Sequence, residues 1–300
     1  MKKDYIIPMR MEIETIFGCN AHCKMCPIDM PSKRKKGIMD FKLFKKIIDQ
    51  MEPYRKHIQF LDLFGIGEPL LDLGIFEKIR YAKAKGFRNV VIATNADLLD
   101  EEKQDKLLDT NIDSVFLGID GIDKKTHELI RPGVNFENII RNVKSIIKKR
   151  NEGNYNTRFI IRFIKQKANR HQWLAYKKYW LNQISKERRD VIICYDMHSW
   201  DKEIPLEKQK QRIKEIERKP CHHIFNRLII LVDGTVIICC GDFHHGNYRL
   251  GNVKDQHPID IFNCAKMKRY RALHLNGKKT LMRICKECSI LYSETTRMII

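Results

Sequence analysis

No uninterrupted apolar stretch in the 300 residues is long enough to span a bilayer, which argues against a helical membrane protein. The opening run Met1-Lys2-Lys3-Asp4-Tyr5-Ile6-Ile7-Pro8 carries charge but no sustained apolar region, so it does not read as a secretory signal. Internal repeats and low-complexity segments are absent, and no aromatic-interleaved nucleic-acid motif accompanies the basic clusters. What is present is an ordinary globular composition, 43% hydrophobic, with length enough for one large or two modest domains.

Two features stand out from that background. The net charge is +20, with small basic clusters at Lys33-Arg34-Lys35-Lys36, Lys148-Lys149-Arg150 and 266–271. A solvated basic surface accounts for most of it, and an anionic or phosphorylated small polar substrate is the functional alternative. Ten cysteines in a chain with no export signal read as metal ligands before disulfides, with the cytosol as the expected location.

Residues 10–200 alternate short apolar runs with amphipathic stretches. Strands are expected over 11–17, 58–64, 89–93, 114–119, 157–164 and 190–195. Between them lie helical patterns such as Phe41-Phe44-Ile47-Ile48-Met51 and Phe136-Ile139-Ile140-Val143-Ile146-Ile147. Six successive β-then-α units predict an α/β fold, a partial six-unit barrel related to the TIM barrel, with its chemistry at the C-terminal strand ends. After about residue 200 the pattern changes to a charged helical segment at 202–219 and then a hairpin turning at Asp233-Gly234. The expected division is a barrel over 1–215 and a small α+β domain with a β-hairpin over 216–300.

Cys19, Cys23 and Cys26 follow the first strand in a C-x3-C-x2-C run. Three thiolates from one loop leave one iron of a 4Fe–4S cluster open to an outside ligand. A zinc site completed by His22 is the alternative. The triad resembles the cluster loop of the radical S-adenosylmethionine (SAM) superfamily, although Met25 stands where an aromatic residue is frequent. Gly65-Ile66-Gly67-Glu68-Pro69 after the second strand resembles that family's Gly-Gly-Glu-Pro segment, with Ile66 replacing one glycine. Thr94-Asn95 ends the third strand as in relatives, and Gly118-Ile119-Asp120-Gly121 ends the fourth with a glycine in place of the usual serine. The resemblance implies SAM contacts at Gly65, Gly67, Glu68, Pro69, Thr94 and Asn95. Arg162 is a candidate carboxylate contact, Asn169 lies at a plausible pocket position, and Tyr195, Asp196, His198 and Trp200 could line its mouth.

A second set comprises Cys221, Gly234, Cys239 and the pair Cys285-Lys286-Glu287-Cys288. It is similar to the SPASM and twitch domains that hold auxiliary clusters in this superfamily, and the further cysteine run of a full SPASM domain is absent. A structural zinc held by four cysteines is the alternative here. The resemblance implies two 4Fe–4S clusters, the second saturated by protein thiolates and suited to electron transfer. Cys194, Cys240 and Cys264 are left over and read as buried apolar thiols.

Motif order is similar to that of the aminoglycoside-biosynthesis radical SAM dehydrogenases. That likeness implies alcohol-to-ketone oxidation of a sugar or cyclitol, with an external flavodoxin- or ferredoxin-type electron donor. Two other functions are weighed. One is a radical SAM peptide maturase, disfavoured because the first strand arrives almost at once and leaves no room for a peptide-recognition domain. The other is a basic zinc protein that binds nucleic acid.

Overall fold

The computed structural model describes residues 5–200, 219–286, 288–290 and 298–300. The first expected strand divides into β1 (Arg10–Ile13) and β2 (Ile16–Phe17), and β2 pairs with β3 (Gly37–Ile38). The run breaks at Glu14, whose buried carboxylate turns aside to accept from Arg34 and from Val232 N–H. The other five barrel strands are β4 (Phe60–Asp62), β5 (Val90–Thr94), β6 (Ser114–Gly118), β7 (Arg158–Lys165) and β8 (Val191–Asp196). Every residue of β5 is buried, the pattern of a parallel strand covered on both faces.

Helices α1 (Phe41–Met51), α2 (Ile75–Ala84), α3 (Glu101–Leu108), α4 (Lys124–Ile130), α5 (Phe136–Glu152) and α6 (Trp173–Leu181) fill the crossovers. Asp40 caps α1 by accepting from Lys42 N–H and Leu43 N–H, and Phe44, Ile47, Ile48 and Met51 form the buried stripe that their spacing predicts. Asn135 caps α5 through Asn138 N–H, and Ile139, Val143, Ile146 and Ile147 face the core.

The hairpin does not stand apart from this sheet. Its strands, β9 (Arg227–Ile230) and β10 (Thr235–Ile237), meet at Gly234, whose φ of 86° suits glycine. β9 pairs parallel with β1, from Arg10 opposite Arg227 to Ile13 opposite Ile230. With β11 (Arg249–Asn252) and β12 (Met298–Ile299), the order is β11-β10-β9-β1-β4-β5-β6-β7-β8-β12. The parallel run therefore extends beyond the six expected strands to include β9. The boundary expected at residue 215 and most of the charged segment before it lie outside the described residues.

Each basic cluster turns one arginine inward, so the solvated surface does not account for all of this charge. Arg34 closes on Glu14 with its side chain 5% exposed. Arg150 is fully buried and forks onto Asp190 at 2.9 and 2.6 Å, tying α5 to the start of β8. Arg271 is buried and donates to Ile224 O at 2.9 Å. No helix among the described residues is long and apolar enough to cross a membrane.

Candidate cofactor site

The loop carrying Cys19, Cys23 and Cys26 leaves the C-terminal end of the β1–β2 region and hangs on the segment after α4. His22 N–H donates to Pro132 O at 2.7 Å and Lys24 N–H to Ile130 O at 3.0 Å. Gly133, at φ 92°, lets that segment approach: a Cβ there would lie 2.8 Å from Asn20 O. Within the loop, Cys26 N–H donates to Cys23 O at 2.9 Å.

Donors converge on the sulfurs. Ala21 N–H reaches Cys19 Sγ at 3.4 Å and Asn95 Nδ2 reaches it at 4.0 Å. Arg131 Nη1 lies 3.7 Å from Cys23 Sγ, while its Nε donates to buried Asp120 at 2.7 Å. Burial pushes the free thiols up, Cys19 to about 11 and Cys26 to about 12. Thiolates at these positions therefore need a bound cation to offset the desolvation, and the surrounding N–H donors suit negatively charged sulfur. Among the described residues no three His, Cys, Asp or Glu side chains are placed closely enough to hold one metal ion between them.

The glycine-rich segment is held against this loop by backbone contact. A Cβ at Gly67 would lie 2.3 Å from Ile16 O, so only glycine fits. Ile66, the departure from the expected glycine pair, is buried with Phe17, Ile28, Ile229 and Phe243, gluing the segment to β9 and the residues beyond it. Glu68 is 2% exposed, and its carboxylate accepts from Thr94 Oγ1 at 2.7 Å, Asn95 N–H at 2.8 Å and Leu70 N–H at 3.1 Å. Its own N–H donates to Gly18 O at 2.9 Å. Asn95 Nδ2 in turn donates to Asn20 Oδ1 at 2.9 Å. Glu68, Thr94, Asn95 and the cysteine loop thus form one hydrogen-bonded unit, with Pro69 starting the turn that follows.

The missing serine at Gly118 has a physical cause. A Cβ there would lie 2.9 Å from Arg131 Nη2, so the guanidinium occupies the space a side chain would need. Arg162 sits opposite Gly118 on β7, its guanidinium 5.9 Å from the Phe116 ring and its enclosed Nε without a hydrogen-bond partner. Burial first, then the Arg131 charge, lowers its pKa. Arg131 is paired with Asp120, so Arg162 leaves one uncompensated guanidinium near Cys23, suited to an anionic group.

Asn169 is fully buried. It donates to Asp120 O and Ile164 O, both at 2.9 Å, and accepts from Gln166 N–H at 2.8 Å, so its capacity is spent on the loop. Asp196 pairs with Lys165 at 3.0 Å. The Trp200 ring lies tilted against His198 with centroids 4.3 Å apart, and its Nε1 donates to Met25 O at 2.8 Å, reaching the cysteine loop itself. Its neighbour Ser199 donates its N–H to Ser289 Oγ at 2.8 Å, next to Cys288. The exit of β8 therefore touches both cysteine sets.

In the second set, Cys239 is flanked electrostatically by Cys240, Cys288 and Cys221, and contact with Cys240 and burial both push its thiol up. Cys285 Sγ lies 3.4 Å from His274 Nε2, while Cys221 N–H donates to His274 Nδ1 at 3.1 Å. Cys194 is buried as expected, but Cys240 and Cys264 are only half-buried. Arg227 Nη1 reaches Cys240 Sγ at 3.7 Å. Sequence reading left Arg131 and His274 without a role, because neither belongs to a spaced cysteine pattern.

Comparison with known proteins matches the radical SAM superfamily model to residues 13–165 and the SPASM iron-sulfur cluster-binding domain to residues 221–289. The chain is 29% identical to the tungsten-containing aldehyde ferredoxin oxidoreductase cofactor-modifying protein of Pyrococcus furiosus, covering 93% of this chain and 86% of that one. It is 34% identical to an AdoMet-dependent heme synthase of Methanosarcina barkeri, over 47% of this chain and 40% of the relative. Among solved structures, BtrN in complex with AdoMet and 2-DOIA superposes with a TM-score of 0.65 at 19% identity, covering 94% of this chain and 93% of that one. Streptococcus suis SuiB bound to precursor peptide SuiA gives 0.66 at 14% identity, covering 89% of this chain and 67% of that one. At such identities these structures speak for the shared fold alone.

Proposed function

The chain belongs to the radical SAM superfamily, and on that premise we propose that it oxidises a small, polar, anionic substrate, with the second cysteine set holding an electron-accepting cluster. In this reading Cys19, Cys23 and Cys26 hold the SAM-binding 4Fe–4S cluster, and Cys221, Cys239, Cys285 and Cys288 hold one auxiliary cluster, as in a twitch domain. When bound, the first cluster and SAM supply a 5′-deoxyadenosyl radical, and the auxiliary cluster accepts an electron. An alcohol that loses a carbon-bound hydrogen atom, a hydroxyl proton and one electron becomes a ketone, which balances this chemistry.

The chain's own residues orient and neutralise. Glu68 fixes Thr94 and Asn95 beside the cysteine loop, so the backbone of residues 65–69 is presented to SAM with little freedom. Arg162 offers charge to a carboxylate or phosphate near Cys23. The exposed His22, Lys24, Lys35 and Lys36 near the loop suit an acidic donor of flavodoxin or ferredoxin type.

The observation that supports the oxidation reading is the exit of β8, where Trp200 donates to Met25 O in the first cysteine loop and Ser199 N–H donates to Ser289 Oγ beside Cys288. A second reading, modification of a cofactor, is favoured by the name of the Pyrococcus furiosus relative, which matches along nearly the whole chain. The test is an anaerobic assay with reconstituted protein, comparing phosphorylated sugars and cyclitols with peptides and pterin-type cofactors. Ketone formation coupled to 5′-deoxyadenosine release with the first group supports oxidation. Turnover confined to a peptide or a cofactor rejects it.

A further inference from the structure

We propose that His274 donates an N–H···S hydrogen bond to Cys285 and thereby raises the reduction potential of the auxiliary cluster, an inference that rests on the assignment of Cys285 as one of its ligands. The argument begins with tautomer. Cys221 N–H is a backbone donor and can only donate, and it meets His274 Nδ1 at 3.1 Å. Nδ1 must therefore be the bare, accepting nitrogen. The ring hydrogen then resides on Nε2, which faces Cys285 Sγ at 3.4 Å.

The ring is fixed in that pose. His274 is 1% exposed on the helix Ala265–Leu275, so water does not compete for either nitrogen. One imidazole thus connects the first and third cysteines of the set, one through its amide and the other through its sulfur. A hydrogen bond to a cluster-ligating thiolate stabilises the more negative, reduced state, which shifts the potential upward. A cluster that takes an electron from a substrate radical is a better acceptor at higher potential. His274 is in these terms a positioning residue that acts through Cys285.

The experiment uses the full chain with Cys19, Cys23 and Cys26 replaced by alanine, reconstituted anaerobically, so that only the auxiliary cluster remains. Iron content is measured first, with about four irons per chain expected for one cubane. An iron-free parent would sink the ligand reading itself, and this proposal with it. With iron present, the potential is followed by electron paramagnetic resonance in a redox titration. His274→Phe should keep the iron and move the potential lower, and His274→Gln, which retains an amide donor, should recover at least half of that shift. An iron-replete His274→Phe protein with the parent potential overturns the proposal, leaving the ligand reading intact. Loss of iron in both variants also overturns it, because His274 would then be holding metal or fold rather than donating to sulfur.

Discussion

The indole Nε1 of Trp200 donates to the carbonyl of Met25 at 2.8 Å, so the segment leaving the last barrel strand holds the residue just before the third cysteine of the triad. One residue earlier, Ser199 meets Ser289, next to Cys288. A short segment thus fastens both cysteine sets. Trp200 itself sits at φ 47°, a conformation that favours glycine, and its hydrogen bond and packing hold it there.

Replacing Trp200 by phenylalanine keeps an aromatic ring and removes the hydrogen bond, a loss of about 1 kcal/mol. SAM cleavage should persist in the variant. Product formed per 5′-deoxyadenosine released should fall several-fold, because the two cysteine sets lose a shared tether. The ratio of the two products, measured by chromatography of a single reaction, checks this.

Glu68→Gln tests the hydrogen-bonded unit below the cysteine loop. All three partners of the carboxylate are donors, from Thr94, Asn95 and Leu70. A glutamine amide must present an NH2 group to at least one of them, at a cost of about 1–3 kcal/mol for a buried mismatch. Urea unfolding should show a lower midpoint with unchanged slope, and SAM affinity should weaken as the 65–69 segment loosens.

Arg162→Ala should behave differently. The Arg162 Nε makes no hydrogen bond in the fold, so stability should change little. A charge-assisted bond to an anionic group is worth about 1.5–3 kcal/mol, which predicts a tenfold or larger weakening of SAM or substrate binding. Equilibrium dialysis with SAM alone, then substrate KM, identifies which anion it serves.

The pH dependence of stability should carry a signature of His127. It is fully buried, accepts from Asp120 N–H, and burial, aided by the Arg131 charge, holds its pKa near about 3 against an ordinary 6.5. A depressed folded-state value means that the unfolded chain takes up a proton first. The contribution is therefore whole above pH 6.5 and is lost as pH falls toward 3. His127→Asn, which keeps an acceptor for Asp120 N–H, should flatten the fall in unfolding free energy over that window relative to the parent chain.

Much of this architecture was legible in the residues themselves. The six barrel strands follow from apolar runs, α1 and α5 from their spacing of three and four, and the hairpin from Asp233-Gly234. Local periodicity carries no information about which strand β9 will choose, so its parallel pairing with β1 was invisible. Charge counting likewise treated Arg34, Arg150 and Arg271 as surface, because burial depends on the distant partners Glu14, Asp190 and Ile224 O. The cysteine spacings pointed to the cluster loops, whereas the donors around them, Arg131, Asn95 and His274, come from elsewhere in the chain. Cys240, left over by the spacing, keeps its thiol against Cys239 and within reach of Arg227 Nη1.

The central claim is a division of labour between the two cysteine sets, and it is tested by measuring 5′-deoxyadenosine and product side by side in two full-length variants. Cys285→Ala/Cys288→Ala should retain SAM cleavage and lose product formation, and Cys19→Ala/Cys23→Ala/Cys26→Ala should lose both. SAM cleavage that survives loss of the first triad, or full product formation without Cys285 and Cys288, would contradict it.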